Sequence, residues 1–447
     1  MFRFGRKQST GRGIRASLLA GATVIALGIG GVSASGASAA PSCTGANIIG
    51  EGASLQKESQ LSIWIPGFQG AGGVCAGKGT EPKVTYEPTG SGAGLRAWDF
   101  NGPDEKAFDT TRAFVASDDA PTPAQIGNAK TAAGGGSQVL VIPVTQTAIG
   151  IVVNPPAECE VEEITNQQLE SALRGNILKW GKLETAFGPG CAGKNITRVV
   201  RFDGSGTTYQ FKNYLSLING GTLPCTEAPG KTWKDLEPIG AGGKPNITWP
   251  ENGVGGCAAG TVSPVTTAGK NNGTELVKKV NATDGSIGYA ALADIEVNKT
   301  GDTHAVKVQN NGTKKISKAT YAEPGTEFGN ANCSAAEYTV PTAGQVGGSG
   351  ENVDWSQVFG ANLSIGGSDY PLCTLTYDIA WKGYGAAGFS EATTTTVIDY
   401  LREYITAAAG QEDIDNGEKF YSPLPSPLAA KHNVLGAAQL AATKIGF

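Results

Sequence analysis

Apolar positions along this 447-residue chain follow two periods. Short runs of Val, Ile and Tyr read as strands, and stretches with apolar residues three and four apart read as helices. Val84-Thr85-Tyr86 predicts a strand ending in the small-residue turn Gly90-Ser91-Gly92-Ala93-Gly94, with a helix starting over Leu95 to Phe100. The runs 139–144 and 149–153 have no polar face and predict two buried strands. Ile164 to Leu173 predicts an amphipathic helix with Thr165 as its N-cap. Val199-Val200-Arg201-Phe202 predicts a strand running into Asp203-Gly204-Ser205-Gly206-Thr207, followed by a helix from Tyr209 to Leu217. A helix over Thr274 to Val280, a strand over Ser286-Ile287-Gly288-Tyr289 and a late helix from Thr395 to Ala408 continue the alternation. Strands interleaved with helices imply an α/β architecture. Two segments, about 219–268 and about 298–352, are rich in Gly, Asn, Pro and Thr and read as insertions on the surface of a core.

With 40% hydrophobic and 17% charged residues the chain can bury a sizeable core, which excludes a wholly disordered protein. The first fifteen residues carry Arg3, Arg6, Lys7, Arg12 and Arg15 and no acid; an apolar stretch follows from about Ala16 to Val32, then the small-x-small pattern Ala37-Ser38-Ala39. This is the layout of a secretory signal peptide. Beyond it no apolar run is long enough for a membrane-spanning helix of the mature chain. Removing those five cations leaves 30 Lys+Arg against 40 Asp+Glu, an acidic balance that argues against nucleic acid as a partner. Only two histidines, His304 and His432, are present, which excludes a histidine-rich metal cluster and leaves few ways to build a Ser-His-Asp hydrolase. Eight cysteines in an exported chain predict disulfides. Consecutive pairs lie 32, 32, 32 and 40 residues apart around Gly- and Pro-rich stretches, so sequence neighbours are expected to pair: Cys43 with Cys75, Cys159 with Cys191, Cys225 with Cys257 and Cys333 with Cys373.

Two stretches share one chemistry. Tyr86-Glu87-Pro88-Thr89-Gly90-Ser91-Gly92-Ala93-Gly94 and Arg201-Phe202-Asp203-Gly204-Ser205-Gly206-Thr207-Thr208 each pass from a strand through a Ser-bearing turn into a helix. A helix N-terminus presents unpaired N–H groups and the positive end of the dipole, Gly lets backbone approach a ligand, and Ser and Thr add hydroxyl donors. Arg201 adds a bidentate fork suited to a tetrahedral oxyanion. The alternative for each turn is a capped helix without a ligand. A third element, Ile49-Gly50-Glu51-Gly52-Ala53-Ser54-Leu55, leads through small residues into a helix reaching Trp64, and a fourth, Phe114-Val115-Ala116-Ser117-Asp118-Asp119, is an apolar strand ending in acids. An acid beside an anion seat accepts a hydrogen bond from a protonated oxyanion and repels an unprotonated one, which separates phosphate from sulfate. Gly188-Pro189-Gly190-Cys191-Ala192-Gly193-Lys194-Asn195 resembles a P-loop but ends in Asn and contains a disulfide cysteine. Ser91 and Ser205 lack the upstream glycine of a nucleophile elbow.

In this order the motifs resemble the bacterial extracytoplasmic phosphate-binding proteins that feed ABC transporters. The resemblance continues through Ile142-Pro143-Val144, Leu173-Arg174-Gly175-Asn176, Gly285-Ser286-Ile287-Gly288-Tyr289 and Tyr421-Ser422-Pro423-Leu424-Pro425. It implies a two-lobed type II periplasmic-binding-protein fold with a hinge and inserted surface loops. The expected division is a signal peptide at 1–39, lobe 1 at 40–145 and 290–447, and lobe 2 at 146–289. The residues carried over as phosphate contacts are Ser54, Leu55, Ser91, Asp118, Arg201, Ser205, Gly206 and Thr207, with Asp203 orienting Arg201. Leu55 stands where the family usually has Phe. The acid that accepts the phosphate proton falls on Asp118 or Asp119, with Asp118 preferred. The expected protein is a monomeric, exported carrier of inorganic phosphate that docks on ABC transporter permease subunits and needs no metal or other cofactor. A secreted phosphatase on the same scaffold, or a surface adhesion protein using the insertions, are the rival readings.

Overall fold

The longest apolar stretch of the chain becomes its central strand, and two sheets are built outward from that strand. The computed structural model describes residues 39–102, 108–183, 189–226, 230–236, 246–253, 259–266, 272–310, 321–322, 333, 354–357, 370–417, 420–426 and 433–447. In chain order come β1 (Ile48–Gly52), a π-helical turn (Ser59–Trp64) running into α1 (Ile65–Gln69), β2 (Val84–Glu87), α2 (Ser91–Ala97), β3 (Phe114–Ser117), α3 (Pro123–Ala132) and β4 (Val139–Asn154). Next are β5 (Glu163–Ile164), α4 (Asn166–Arg174), α5 (Trp180–Leu183), β6 (Thr197–Arg201), α6 (Gly206–Ile218), α7 (Trp233–Leu236), β7 (Thr261–Val265), α8 (Asn272–Asn281), β8 (Ser286–Ala291) and α9 (Leu292–Asn298). The chain closes with β9 (His304–Gln309), β10 (Tyr321–Ala322), β11 (Cys373–Trp381), α10 (Glu391–Val397), a π-helical segment (Ile398–Ile405), α11 (Ala408–Asn416), β12 (Tyr421–Ser422) and α12 (Val434–Ala442).

The sheet order is β2-β1-β3-β11-β4-β8-β6-β7. β1 runs parallel to β2 and β3, and β11 lies antiparallel between β3 and the first part of β4, pairing Trp381 with Val139 and Cys373 with Ala148. The second part of β4 pairs instead with β8, from Ile149↔Ala291 to Asn154↔Ser286, and β6 and β7 extend that side in parallel. One strand therefore belongs to both sheets. Fifteen of its sixteen residues are buried, which is why its sequence carries almost no polar alternation. The two strands expected there are one, because β11 and β12 supply hydrogen bonds through the polar middle, Thr145–Ala148.

Local chemistry sets the helix ends. Thr165 caps α4 in a reciprocal capping box with Gln168, as expected, while Ile164 belongs to β5. α2 and α6 begin at Ser91 and Gly206, several residues before the apolar period becomes visible. Gly90 makes the first turn in a single residue at φ 103°, a conformation open mainly to glycine, and Ser205 caps α6 by accepting the N–H of Thr208. The late helix divides, with α10 starting at Glu391 behind its Ser390 cap and widening into the π-helical segment.

The segment 219–268 is more than a surface insertion. Its β7 pairs with β6, Trp249 is buried against Tyr289 and Lys212, and Trp233 is buried edge-on against Trp249. Within 298–352, β9 pairs with the second half of β4, so this part of the stretch expected in lobe 1 lies with the second sheet. Disulfides join Cys43 to Cys75, Cys159 to Cys191 and Cys333 to Cys373, as the spacing predicts. Cys225 is also disulfide-bonded, while Cys257 lies outside the described residues. Residues 1–38 of the signal peptide expected at 1–39 lie outside them too.

Candidate functional site

Ligands of open α/β sheets sit beyond the carboxyl ends of parallel strands. Here the residues just past β1, β2, β3 and β6 meet. Gly92 of α2 donates its N–H to the carbonyl of Gly204 at 2.9 Å, joining the first anion turn to the second. Around this contact lie Ser54, Ser91, Asp118, Arg201, Ser205 and Thr207, each no more than 2% exposed. Leu55 and Gly206 are buried with them.

Arg201, the last residue of β6, is fixed on both edges. Its Nε and Nη2 donate to the two carboxylate oxygens of Asp203 at 2.9 and 2.5 Å, and its Nη1 donates to Ser54 Oγ at 2.9 Å and Thr207 Oγ1 at 3.3 Å. Burial works against the charged guanidinium, but the Asp203 carboxylate outweighs it and holds the Arg201 pKa above its ordinary value. With one edge held by the carboxylate, the guanidinium reaches across the cleft with Nη1, which meets Ser54 on the far side.

Asp118 sits opposite. Its backbone N–H donates to Ser91 Oγ at 3.0 Å. Its Oδ2 lies 3.3 Å from both the Ser91 and the Thr207 hydroxyls, and its Oδ1 accepts from Thr376 at 2.9 Å. Burial pushes this carboxyl up to about 6, against the opposing pull of the Thr376 hydrogen bond, the charge of Arg201 and the backbone N–H of Leu55. Gln210 of α6 donates to the Asp118 carbonyl at 2.9 Å, a further bond across the cleft.

Ser205 plays a different part from Ser91. Its hydroxyl oxygen is occupied as the α6 cap, and Asn246 clamps its backbone by accepting the N–H at 3.3 Å and donating to the carbonyl at 3.0 Å. Asn246 is itself held in place by Lys212, whose buried ammonium donates to the carbonyls of Leu236, Asn246 and Thr248 at 3.0, 2.9 and 2.9 Å. Asn246 opens an Asn-x-Thr triplet, but at 4% exposure it is a structural residue of the turn. All eight residues expected from sequence thus converge. Gln56, Gln210, Asn246 and Thr376 are not marked by the sequence; the one signal for Thr376 is the alternation of Thr374, Thr376 and Asp378 within a wholly buried strand.

Among the described residues no group of three His, Cys, Asp or Glu could hold a metal ion, and no helix is long and apolar enough to cross a membrane. His304 is remote in β9, with both ring nitrogens 2.7 Å from backbone carbonyls of Asp302 and Val161.

Residues 37–403 match the PBP superfamily domain, and the chain belongs to that superfamily. Curated relatives include the phosphate-binding protein PstS of Methanocaldococcus jannaschii, 24% identical over 376 residues that cover 83% of this chain and 80% of that protein. The phosphate-binding protein PstS of Xylella fastidiosa is 25% identical over 377 residues, covering 80% of this chain and 79% of that protein. A human phosphate-binding apolipoprotein shares the fold with a TM-score of 0.57 at 21% identity, covering 85% of this chain and 92% of its own. A Stenotrophomonas maltophilia phosphate-binding protein does so with a TM-score of 0.55 at 18% identity, covering 88% and 93%.

Proposed function

We propose that this protein is an extracytoplasmic solute-binding protein that captures inorganic phosphate between two lobes and delivers it to the permease subunits of an ABC transporter. The observation that carries the reading is the meeting of Ser54, Ser91, Arg201 and Thr207 with one buried acceptor, Asp118, across the cleft between the two sheets. The names of the curated relatives support the same ligand. In this reading lobe 1 comprises 40–145 and 290–447, with β9 packed on the other lobe, and lobe 2 comprises 146–289. β4 serves as the hinge strand common to both, and binding closes the lobes.

The donors are the hydroxyls of Ser54, Ser91, Ser205 and Thr207, the backbone N–H groups of Leu55, Gly206 and Thr207, and the outer edge of Arg201. Preorganised donors in a dehydrated cleft outweigh the net negative field of the mature chain, because a nearby dipole at low dielectric acts more strongly than distant screened charge. Asp118 is the acceptor for the phosphate proton; sulfate, with no proton at neutral pH, meets a carboxylate instead and is excluded. The protein carries phosphate without transforming it, as an exported monomer whose segment 1–39 is removed.

Calorimetry of the purified mature chain against an anion panel tests this. Phosphate is expected to bind with micromolar or tighter affinity in the presence of excess sulfate. Arg201→Ala is expected to weaken binding about 100-fold or more, through loss of two charge-assisted contacts. Equal competition by sulfate, or an Arg201→Ala protein with unchanged affinity, would refute the assignment.

A further inference from the structure

Asp118 can select a protonated anion only while it acts as an acceptor, so whatever sets the direction of its hydrogen bonds sets the selectivity. We propose that Gln56 and Thr376 are positioning residues that force a hydroxyl proton onto Asp118 Oδ1 and thereby hold Asp118 as an acceptor for the anion. The proposal rests on the phosphate reading above and extends it to residues that do not touch the anion.

The polarity follows from partners that can act in only one way. Gln56 Nε2 lies 3.0 Å from the backbone carbonyl of Tyr377 and 2.8 Å from Thr376 Oγ1. A carbonyl only accepts, so the atom facing it is the amide nitrogen and not the oxygen. Both amide protons are then spent, one of them on Thr376. Having accepted it, the Thr376 hydroxyl has one proton to give, and its partner is Asp118 Oδ1 at 2.9 Å. The other end of the amide is fixed as well, because Gln56 Oε1 accepts from Gln60 Nε2 at 3.0 Å, and Gln60 Oε1 accepts the Tyr400 hydroxyl at 2.7 Å. Gln56, Gln60 and Thr376 are fully buried, so water offers no alternative partner. The remaining carboxylate oxygen, Oδ2, faces the cleft between Ser91 and Thr207.

Charged and titratable groups around Asp118 and its network are Arg201 from β6, the Tyr86 phenol from β2 and, behind Gln56 and Gln60, the buried Asp378 of β11, whose carboxyl is pushed up by burial to about 8; α2, α6 and Thr376 of β11 present Asp118 itself with hydroxyls or amides. Deleting the Thr376 hydroxyl removes a donor that favours the ionised carboxyl, so Asp118 would take up its proton at higher pH and turn into a donor. A donor there accepts sulfate.

The test is competition of phosphate and sulfate, followed by calorimetry between pH 5 and 9, in the wild-type protein, Thr376→Val, Thr376→Ser and Gln56→Met. Thr376→Val is expected to lower the phosphate-over-sulfate ratio by about tenfold or more and to move the acid onset of sulfate binding up by about one pH unit. Thr376→Ser is expected to keep the wild-type ratio and profile. Gln56→Met, which frees the Thr376 hydroxyl to rotate and also removes the partner of the Tyr377 carbonyl and the Gln60 amide, is expected to give a smaller shift in the same direction and carries the test should Thr376→Val fail to fold. Equal losses for both anions with an unmoved pH profile would mean a merely structural role and overturn the inference. A wild-type protein that binds no phosphate would instead overturn the reading on which it rests.

Discussion

Gly206 is where the two halves of the site come closest, and Gly206→Ala measures how much binding depends on that approach. A Cβ at this position would lie 2.6 Å from Ser91 Oγ, 2.8 Å from the Asp119 nitrogen and 2.9 Å from the Asp118 Cβ. Non-bonded heavy atoms rest at about 3.5–4.0 Å, so the facing segments must separate by roughly 0.5–1 Å. Two of the three obstructing atoms belong to β3 and its extension, which cannot swing aside as a flexible side chain would. The Thr207 bond to Asp118, which crosses the cleft, already spans 3.3 Å, and that separation would take it beyond hydrogen-bond reach. Overpacking of this kind costs about 1–3 kcal/mol, which corresponds to a loss of phosphate affinity of about 5- to 140-fold. The penalty falls on the closed arrangement, while lobes that have separated have room for the methyl. Calorimetric affinity should therefore fall while the thermal stability of the ligand-free protein stays near that of the wild type. Unchanged phosphate affinity would show that the turn at Gly206 need not approach Ser91 and Asp118 for capture.

Two further outcomes are expected. Asp118 has its pKa raised by burial from 3.8 to about 6, so the folded chain holds a proton that the unfolded chain has lost across that window. In the closed arrangement its contribution to stability is complete below about pH 3.8 and is lost as pH rises through about 6, on the order of 3 kcal/mol in all, and less where the lobes have separated and water reaches the carboxyl. In ligand-free chemical denaturation, wild-type protein should lose stability relative to Asp118→Asn between pH 4 and 7; parallel pH curves would refute the shift. The Cys43–Cys75 bridge closes a loop with a sequence separation of 32, for which chain entropy predicts up to about 3.7 kcal/mol of stabilisation. The double variant Cys43→Ser/Cys75→Ser should lower the non-reducing denaturant midpoint accordingly, and an unchanged midpoint would show that β1 and its neighbours are held in place without it.

Local and one-dimensional features of this protein were settled by its amino-acid order. The Thr165 cap needs only Gln168 three residues on, the Ser205 cap needs only the Thr208 N–H, and bridges such as Cys159 to Cys191 join the nearest cysteine in the chain. A carboxylate two residues from a guanidinium, Asp203 beside Arg201, is also a matter of short range. The eight expected site residues could be named because the turns at 90–94 and 203–207 express anion chemistry locally and because the order of the motifs resembles the phosphate-binding family, which is what pointed to Ser54, Leu55 and Asp118. Tertiary structure decided what depends on contacts between residues far apart in the chain. The apolar run at 139–153 reads as two strands until β11 and β8, more than 200 and more than 130 residues downstream, pair with its successive halves. Gln56 and Thr376 are separated by 320 residues, and nothing local marks either as a neighbour of Asp118. The direction of a hydrogen bond is set by what its partners can still donate, and those partners exist only once the sheets have assembled.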